Sequence, residues 1–236
     1  MLRKMVNTTT KSLKPKSLIY SIEGNLASGK SLVLDNLMLS KRLSIITCKE
    51  PIDEWMNMKS GSDLLKCFYE ENQRWSFAFE NLVQLSRAKT HYQSLQNAVG
   101  DDSARIFTER SLWSSFHVFC RNSLDEQRIT QPEYDILAEH YKFFSKSIAQ
   151  LSSCNNNQLP FQVIYLRTQP MTCLTRMRKR NRSSECSVDL SYLTQINDKY
   201  ETWINGLIRA DSSMVKIIDA DQDITSVIKQ IQMLDI

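Results

Sequence analysis

Short apolar runs separated by long amphipathic segments set the pattern of this chain. Five such runs are Leu18-Ile19-Tyr20-Ser21-Ile22, Leu43-Ser44-Ile45-Ile46-Thr47, Ala104-Arg105-Ile106-Phe107-Thr108, Phe161-Gln162-Val163-Ile164-Tyr165-Leu166 and Met214-Val215-Lys216-Ile217-Ile218. Each is brief and rich in β-branched or aromatic residues, the pattern of a buried strand. The last four end at polar clusters: Lys49-Glu50-Pro51, Glu109-Arg110-Ser111, Arg167-Thr168 and Asp219-Ala220-Asp221. Between them, segments such as Trp75 to Leu95 and Ser111 to Ile148 carry helical periodicity. Strands alternating with helices predict an α/β fold, a five-stranded parallel sheet flanked by helices. Ligands of such sheets sit beyond the carboxyl ends of the strands, so the polar clusters should converge on one cleft.

The first strand runs into Gly24-Asn25-Leu26-Ala27-Ser28-Gly29-Lys30-Ser31, followed by the helix-like Leu32 to Leu39. This is the G-x-x-x-x-G-K-[ST] phosphate-binding loop in its strand–loop–helix setting. Glycine permits a turn that aims successive backbone N–H groups at a polyphosphate on a helix N-terminus. Lys30 then neutralises phosphate charge and the Ser31 hydroxyl takes Mg²⁺. A bound nucleoside triphosphate is the expectation.

At 236 residues, with 42% hydrophobic and 24% charged side chains, the chain suits one α/β domain with a full core. We expect that domain over residues 17–236, preceded by a flexible basic tail over residues 1–16 that contains no acid. Net charge is +4, and four arginines fall between Arg176 and Arg182. So local a cluster suits a phosphate ligand rather than a nucleic-acid track. The six cysteines (Cys48, Cys67, Cys120, Cys154, Cys173 and Cys186) form no C-x-x-C and no metal spacing. Reduced thiols in a cytoplasmic compartment are expected, with a short mitochondrial presequence as the alternative reading of the tail. The sequence has no apolar stretch of membrane-spanning length, and no membrane partner is expected.

Glu50 precedes a proline that enforces an extended exit from the second strand, and a carboxylate there can accept a proton from an attacking hydroxyl. At the end of the third strand, Glu109 could hold Mg²⁺ through water, and Arg110 could hold Glu50 or the acceptor hydroxyl. Helical spacing puts Arg176 over Arg180 and Arg178 over Arg182, a self-repelling arrangement until an anion arrives. Guanidinium groups on such a lid can stabilise a migrating phosphoryl group.

Together these motifs carry a resemblance. The phosphate loop, Glu50-Pro51 with Trp55, Leu64-Leu65-Lys66-Cys67-Phe68-Tyr69-Glu70, Arg74-Trp75-Ser76-Phe77-Ala78-Phe79-Glu80, Leu85-Ser86-Arg87, Glu109-Arg110-Ser111 and the arginine lid occur in the order of the deoxynucleoside kinases. They look most like the deoxycytidine/deoxyguanosine kinase branch. The resemblance implies a phosphate-loop kinase with an arginine-rich lid. It would move the γ-phosphate of ATP, with Mg²⁺, to the 5′-hydroxyl of a deoxynucleoside, in nucleotide salvage and as a homodimer. It implies Glu50 as general base with Arg110 beside it, Ser31 and Glu109 for Mg²⁺, and Tyr69 and Glu185 on the sugar 3′-hydroxyl. Trp55, Phe79 and Phe119 would enclose the base, Glu80, Arg87 and Ser115 would stand at its edge, Arg176, Arg180 and Arg182 would form the lid, and Asp221, Gln222 and Asp223 would border the donor's base.

Two departures matter. The family usually has Gln where this chain has Glu80, and the branch has Asp where it has Ser115. An ionised Glu80 only accepts hydrogen bonds while Arg87 only donates, a pairing that suits a ring N–H beside a carbonyl. That reads as guanine or thymine, and the expectation leans to deoxyguanosine. A nucleoside monophosphate kinase would place arginine just before Glu-Pro, where Lys49 stands. A non-catalytic relative serving as a structural subunit could have lost Lys30, Glu50 or the lid, and all are present. A GTPase switch would carry Asn-Lys-x-Asp, which does not occur. His91, His117 and His140 are scattered and read as packed or surface residues.

Overall fold

The computed structural model describes residues 18–39, 44–99, 101, 104–151 and 161–234. The expected tail at residues 1–16 lies outside these, as does Cys154. Five strands form, β1 (Leu18–Gly24), β2 (Ile45–Cys48), β3 (Arg105–Glu109), β4 (Phe161–Arg167) and β5 (Val215–Asp219). They pair in parallel in the order β2-β3-β1-β4-β5. Over their described residues all five apolar runs are strands, with ends that differ by a residue or two; Leu43 lies outside the described residues.

Alternation along the strands supplies two buried faces. Tyr20, Ile22, Phe107, Ile164, Leu166 and Ile218 meet α1 (Lys30–Leu39) and α10 (Ile224–Gln232) through Val33, Leu34, Val227 and Ile231. On the other face Ile19, Ile106, Val163 and Tyr165 pack with Leu193, Ile196 and Tyr200 of α9 (Leu190–Ala210). Each such side chain contributes about 1.5–3 kcal/mol on burial. Ser21 and Glu23 share the second face with Ile19 and are fully buried there.

The long helix α4 (Asn72–Asn97) exceeds the Trp75–Leu95 expected, and it follows α2 (Ile52–Met56) and α3 (Leu64–Glu70). The expected helical stretch Ser111–Ile148 is not continuous. It divides into α5 (Leu112–Ser114), a π-helical turn at Ser115–Cys120, α6 (Arg121–Asp125) and α7 (Gln131–Leu151). Gln127 adopts a left-handed φ of 55°, and Thr130 starts a new helix by bonding Glu133 Oε2 through its N–H (2.7 Å) and hydroxyl (2.8 Å). That local cap, with Pro132 just inside, outweighs the continuing apolar period. Among the described residues, no helix is long and apolar enough to cross a membrane.

Candidate active site

The phosphate loop joins β1 to α1. Gly24 has φ +147°, and a Cβ there would lie 2.7 Å from both the Leu166 carbonyl oxygen and Ser28 Oγ, so only glycine fits. Lys30 Nζ donates to the carbonyl oxygens of Asn25 (2.7 Å) and Gly24 (3.4 Å) and to Ser28 Oγ (3.4 Å). Burial, helped by the nearby Arg110 charge, pushes its ammonium down to about 7 against the pull of Glu109 and Glu50. A cation held in so unfavourable a place is matched to a polyanion. Leu26 to Ser31 line the cleft, whereas Gly24 and Asn25 do not.

The Ser31 hydroxyl donates to Glu109 Oε1 at 2.7 Å, which brings the two expected magnesium-side oxygens together. Among the described residues, no cluster of three or more His, Cys, Asp or Glu could hold a metal by itself. One hydroxyl and one carboxylate are hard oxygen donors, a set that fits Mg²⁺ when phosphates complete the shell.

Glu50 stands at the carboxyl end of β2 with two guanidinium groups on one oxygen. Arg110 Nε lies 3.2 Å from its Oε1, and Arg87 Nη2 donates to the same atom. Burial works against the charge, yet Arg87, Arg110, Lys30 and Arg182 outweigh it and hold the carboxyl below its ordinary range. Arg110 itself has φ +62°, a left-handed geometry rare for a side-chain-bearing residue, and sits 4.7 Å over the Phe119 ring. Lys49 points elsewhere, to Asp35 at 2.5 Å.

The cleft as a whole, from the phosphate loop past Glu50 to the aromatic wall, encloses about 590 Å³. Trp55 meets Phe79 edge-on at 5.6 Å and is anchored by Nε1–H donating to Ser86 Oγ (3.1 Å), while Phe68 stacks on Phe79 at 4.6 Å. Phe79, Glu80, Val83 and Arg87 share one face of α4 and all line the cavity, as do Trp55, Tyr69, Phe119 and Glu185. Glu80 is buried, and its two oxygens accept from Ser123 Oγ (3.0 Å) and Cys120 Sγ (3.5 Å). Arg87 turns to Glu50 rather than to Glu80. Ser115 is a correction: it is not among the described residues that line the cleft. The π turn directs its hydroxyl to the Ser111 carbonyl oxygen at 2.9 Å. Phe68, Val83 and Tyr192 also line the cavity and escaped the sequence reading. Val83 had a signal, its spacing from Phe79 and Arg87 on one helix face; Tyr192 had none.

The arginine segment differs from a uniform charged helix. Helix α8 (Pro170–Arg180) stops at Asn181, whose φ of 53° is left-handed, so Arg178 does not stack over Arg182. Nor is an external anion needed to hold the lid. Glu185, on a tight turn at Ser183–Glu185, accepts from Arg180 Nη2 (2.5 Å) and Arg182 Nη1 (2.8 Å). The Ser184 hydroxyl donates to Asp63 Oδ2 (2.7 Å), and Asp63 also caps α3, which seats the turn beside Tyr69. Arg176 donates to the carbonyl oxygens of Ala220 (2.9 Å) and Gln222 (3.3 Å), binding the lid helix to the loop after β5. Gln222 and Asp223 line the cleft; Asp221 does not, because its carboxylate accepts the Gln169 backbone N–H. His91 is buried and His117 and His140 are exposed, as expected of residues outside the chemistry.

A parallel sheet, a phosphate loop at its centre, an acid–arginine cluster beside that loop and a lid of arginines define a phosphoryl-transferring P-loop enzyme. Over residues 20–234 the sequence matches the deoxynucleoside kinase family, and the chain belongs to that family. It is similar to deoxycytidine kinase 2 of Gallus gallus (29% identity, covering 91% of this chain and 87% of the relative). It is similar also to deoxycytidine kinase of Mus musculus (29%; 78% and 74%) and to mitochondrial thymidine kinase 2 of Homo sapiens (29%; 88% and 72%). The chain is thus an ATP-dependent deoxynucleoside kinase, a nucleotide-binding transferase of deoxynucleoside salvage.

Proposed function

We propose that this kinase moves the γ-phosphate of ATP, with Mg²⁺, to the 5′-hydroxyl of a deoxynucleoside, and that it favours deoxyguanosine. One observation carries the transfer: the Glu50 carboxylate, flanked by Arg87 and Arg110, lines one cleft together with the phosphate loop and the aromatic side chains Trp55, Phe79 and Phe119. Ser31 and Glu109 would hold the Mg²⁺, which supplies neutralisation of phosphate charge. Lys30 and the loop N–H groups bind the phosphates, and Arg180 and Arg182 stabilise charge on the moving group. Glu50 accepts the 5′-hydroxyl proton late in the transfer, which suits a carboxyl held below its ordinary range. Trp55, Phe79 and Phe119 position the base.

The lean to deoxyguanosine is supported by Glu80 and Arg87 both lining the cleft: an acceptor and a donor there would suit a ring N–H beside a carbonyl. Steady-state kcat/KM for the four deoxynucleosides with ATP–Mg²⁺ tests this reading. Deoxyguanosine should lead; a lead for deoxycytidine that persists in Glu80→Gln removes Glu80 from base selection.

Tyr69 and Glu185 line the same cavity and are the groups we assign to the sugar 3′-hydroxyl. The hydrogen bond that a 3′-hydroxyl would add to a charged carboxylate is worth about 1.5–3 kcal/mol. The 2′,3′-dideoxynucleosides should therefore lose about tenfold or more in kcat/KM, and equal values with and without the 3′-hydroxyl would end this assignment.

A homodimer is supported by two exposed apolar stripes. Leu85 and Tyr92 on α4 and Ile136 and Phe143 on α7 each recur at seven residues, on helices joined by Gln84 Nε2 donating to the Leu137 carbonyl oxygen (3.3 Å). Sedimentation should give a dimer for the native chain and a monomer for Tyr92→Glu combined with Phe143→Glu. A native monomer at micromolar concentration would refute the pairing. We assign the enzyme to a reducing, cytoplasmic setting on its free thiols at Cys48, Cys67, Cys120, Cys173 and Cys186. The mitochondrial alternative keeps its support from the mitochondrial relative.

A further inference from the structure

Behind the cleft lies a buried carboxylate to which the transfer reaction assigns no part. Glu23, on β1 one residue before the phosphate loop, is fully buried. Its Oε1 accepts from Ser21 Oγ (2.5 Å) and Ser111 Oγ (2.6 Å), and its Oε2 accepts from the Tyr200 hydroxyl (3.0 Å). Three hydroxyls satisfy its two oxygens. A buried carboxylate is costly to keep, and so complete a set of donors holds it in one orientation.

Tyr200 has a single hydroxyl proton, and that proton is committed to Glu23. Its oxygen must then present lone pairs to whatever lies on the other side, and what lies there is Arg110 Nη1, which donates to it. The second proton of the same nitrogen goes to the Gly24 carbonyl oxygen at 2.7 Å. Arg110 Nε faces Glu50. Donation therefore runs outward from Arg110, on one side to Glu50 and on the other through Tyr200 to Glu23. It crosses from the end of β3 to α9 and back to β1. Arg110 needs such restraint because its backbone is left-handed at φ +62°. Tyr200 is itself fixed, stacked on Tyr165 at 5.6 Å and edge-on to Phe119 at 6.2 Å. A second contact of the same kind, Asn25 Nδ2 donating to the Leu193 carbonyl oxygen (2.8 Å), ties the phosphate loop to the start of α9.

We propose that Tyr200, oriented by Glu23, is a positioning residue for phosphoryl transfer: its hydroxyl holds the Arg110 guanidinium in register with Glu50. Neither residue reaches the cleft; both act through Arg110. The inference rests on the reading of Glu50 as the proton acceptor.

Tyr200→Phe keeps the ring stacks and the volume and removes only the hydroxyl. It should lower kcat by about tenfold, within what a small misplacement of a reacting group costs, and leave the nucleoside KM within about twofold. Because Arg110 holds the Glu50 carboxyl down, a looser Arg110 lets it rise. The acid limb of kcat against pH should then move to higher pH. Glu23→Gln retains an acceptor for the Tyr200 proton and should keep more activity than Glu23→Ala, and it serves as the second variant should Tyr200→Phe fail to fold. Native kcat and an unmoved acid limb in folded Tyr200→Phe would overturn the proposal. So would a loss of kcat matched by an equal rise in KM. Failure of the Glu50 reading is separately visible, as an acid limb that survives in Glu50→Gln.

Discussion

Glu50→Gln is expected to lower kcat by about 10²-fold or more, the range for loss of a general base. Glutamine keeps the shape and an acceptor oxygen but takes no proton, so the 5′-hydroxyl must lose its proton to water instead. Nucleoside affinity should survive, because Trp55, Phe79 and Phe68 enclose the cavity independently of that charge. The substitution also leaves Arg87 and Arg110 buried around a neutral group, and unpairing a buried ion pair costs about 3–5 kcal/mol. Calorimetric nucleoside binding by the variant separates the two effects. Bound nucleoside with turnover at the native rate would remove Glu50 from the chemistry; bound nucleoside with collapsed turnover would establish it.

Base preference should change with pH. Burial raises the Glu80 carboxyl to about 7, against the opposing pull of Ser123, Cys120, Arg87 and Arg128. Its neighbours on the π turn and α9, Cys120 and Tyr192, are themselves shifted upward and stay neutral through this range. Below about 7 the neutral acid can donate as well as accept, like an amide, and suits cytosine or adenine with an acceptor ring nitrogen. Above it the carboxylate only accepts and suits a ring N–H, as in guanine. The ratio of kcat/KM for deoxyguanosine to that for deoxycytidine should rise about a hundredfold between roughly pH 6 and pH 8, about tenfold from the gain of ionised Glu80 and about tenfold from the loss of its neutral form. Glu80→Gln should hold a flat ratio. A flat native ratio, or the same rise in the glutamine variant, would show that Glu80 does not select the base by its charge.

Much of this enzyme was legible before any coordinates because the signals are local. The five strands follow from apolar runs of strand length, and their parallel order follows from the helices between them. The phosphate loop is readable because glycine is the residue that its backbone tolerates, as the 2.7 Å approaches at Gly24 show. The family resemblance pointed to Phe79, Glu80 and Arg87, and the helical period explains why they share one wall of the cleft with Val83. Where a second local signal competed, the period misled: the cap at Thr130 and the left-handed Asn181 end helices that the pattern would have continued.

What the sequence by itself determined is the class of chemistry, since strand ends, loop and lid are each set by residues near one another in the chain. Which partner each charged group takes was decided only by the tertiary structure. Arg87 could have paired with Glu80, two turns away on its own helix, yet it pairs with Glu50, 37 residues distant. Glu185 supplies the anion that the lid arginines require, and the π turn withdraws Ser115 from the cleft. Tyr200 joins Arg110 to Glu23 across separations of 90 and 177 residues. A guanidinium or hydroxyl has several possible acceptors of similar strength. The one it takes depends on which the folded sheet and helices bring within about 3 Å, a distance that spacing along the chain does not encode.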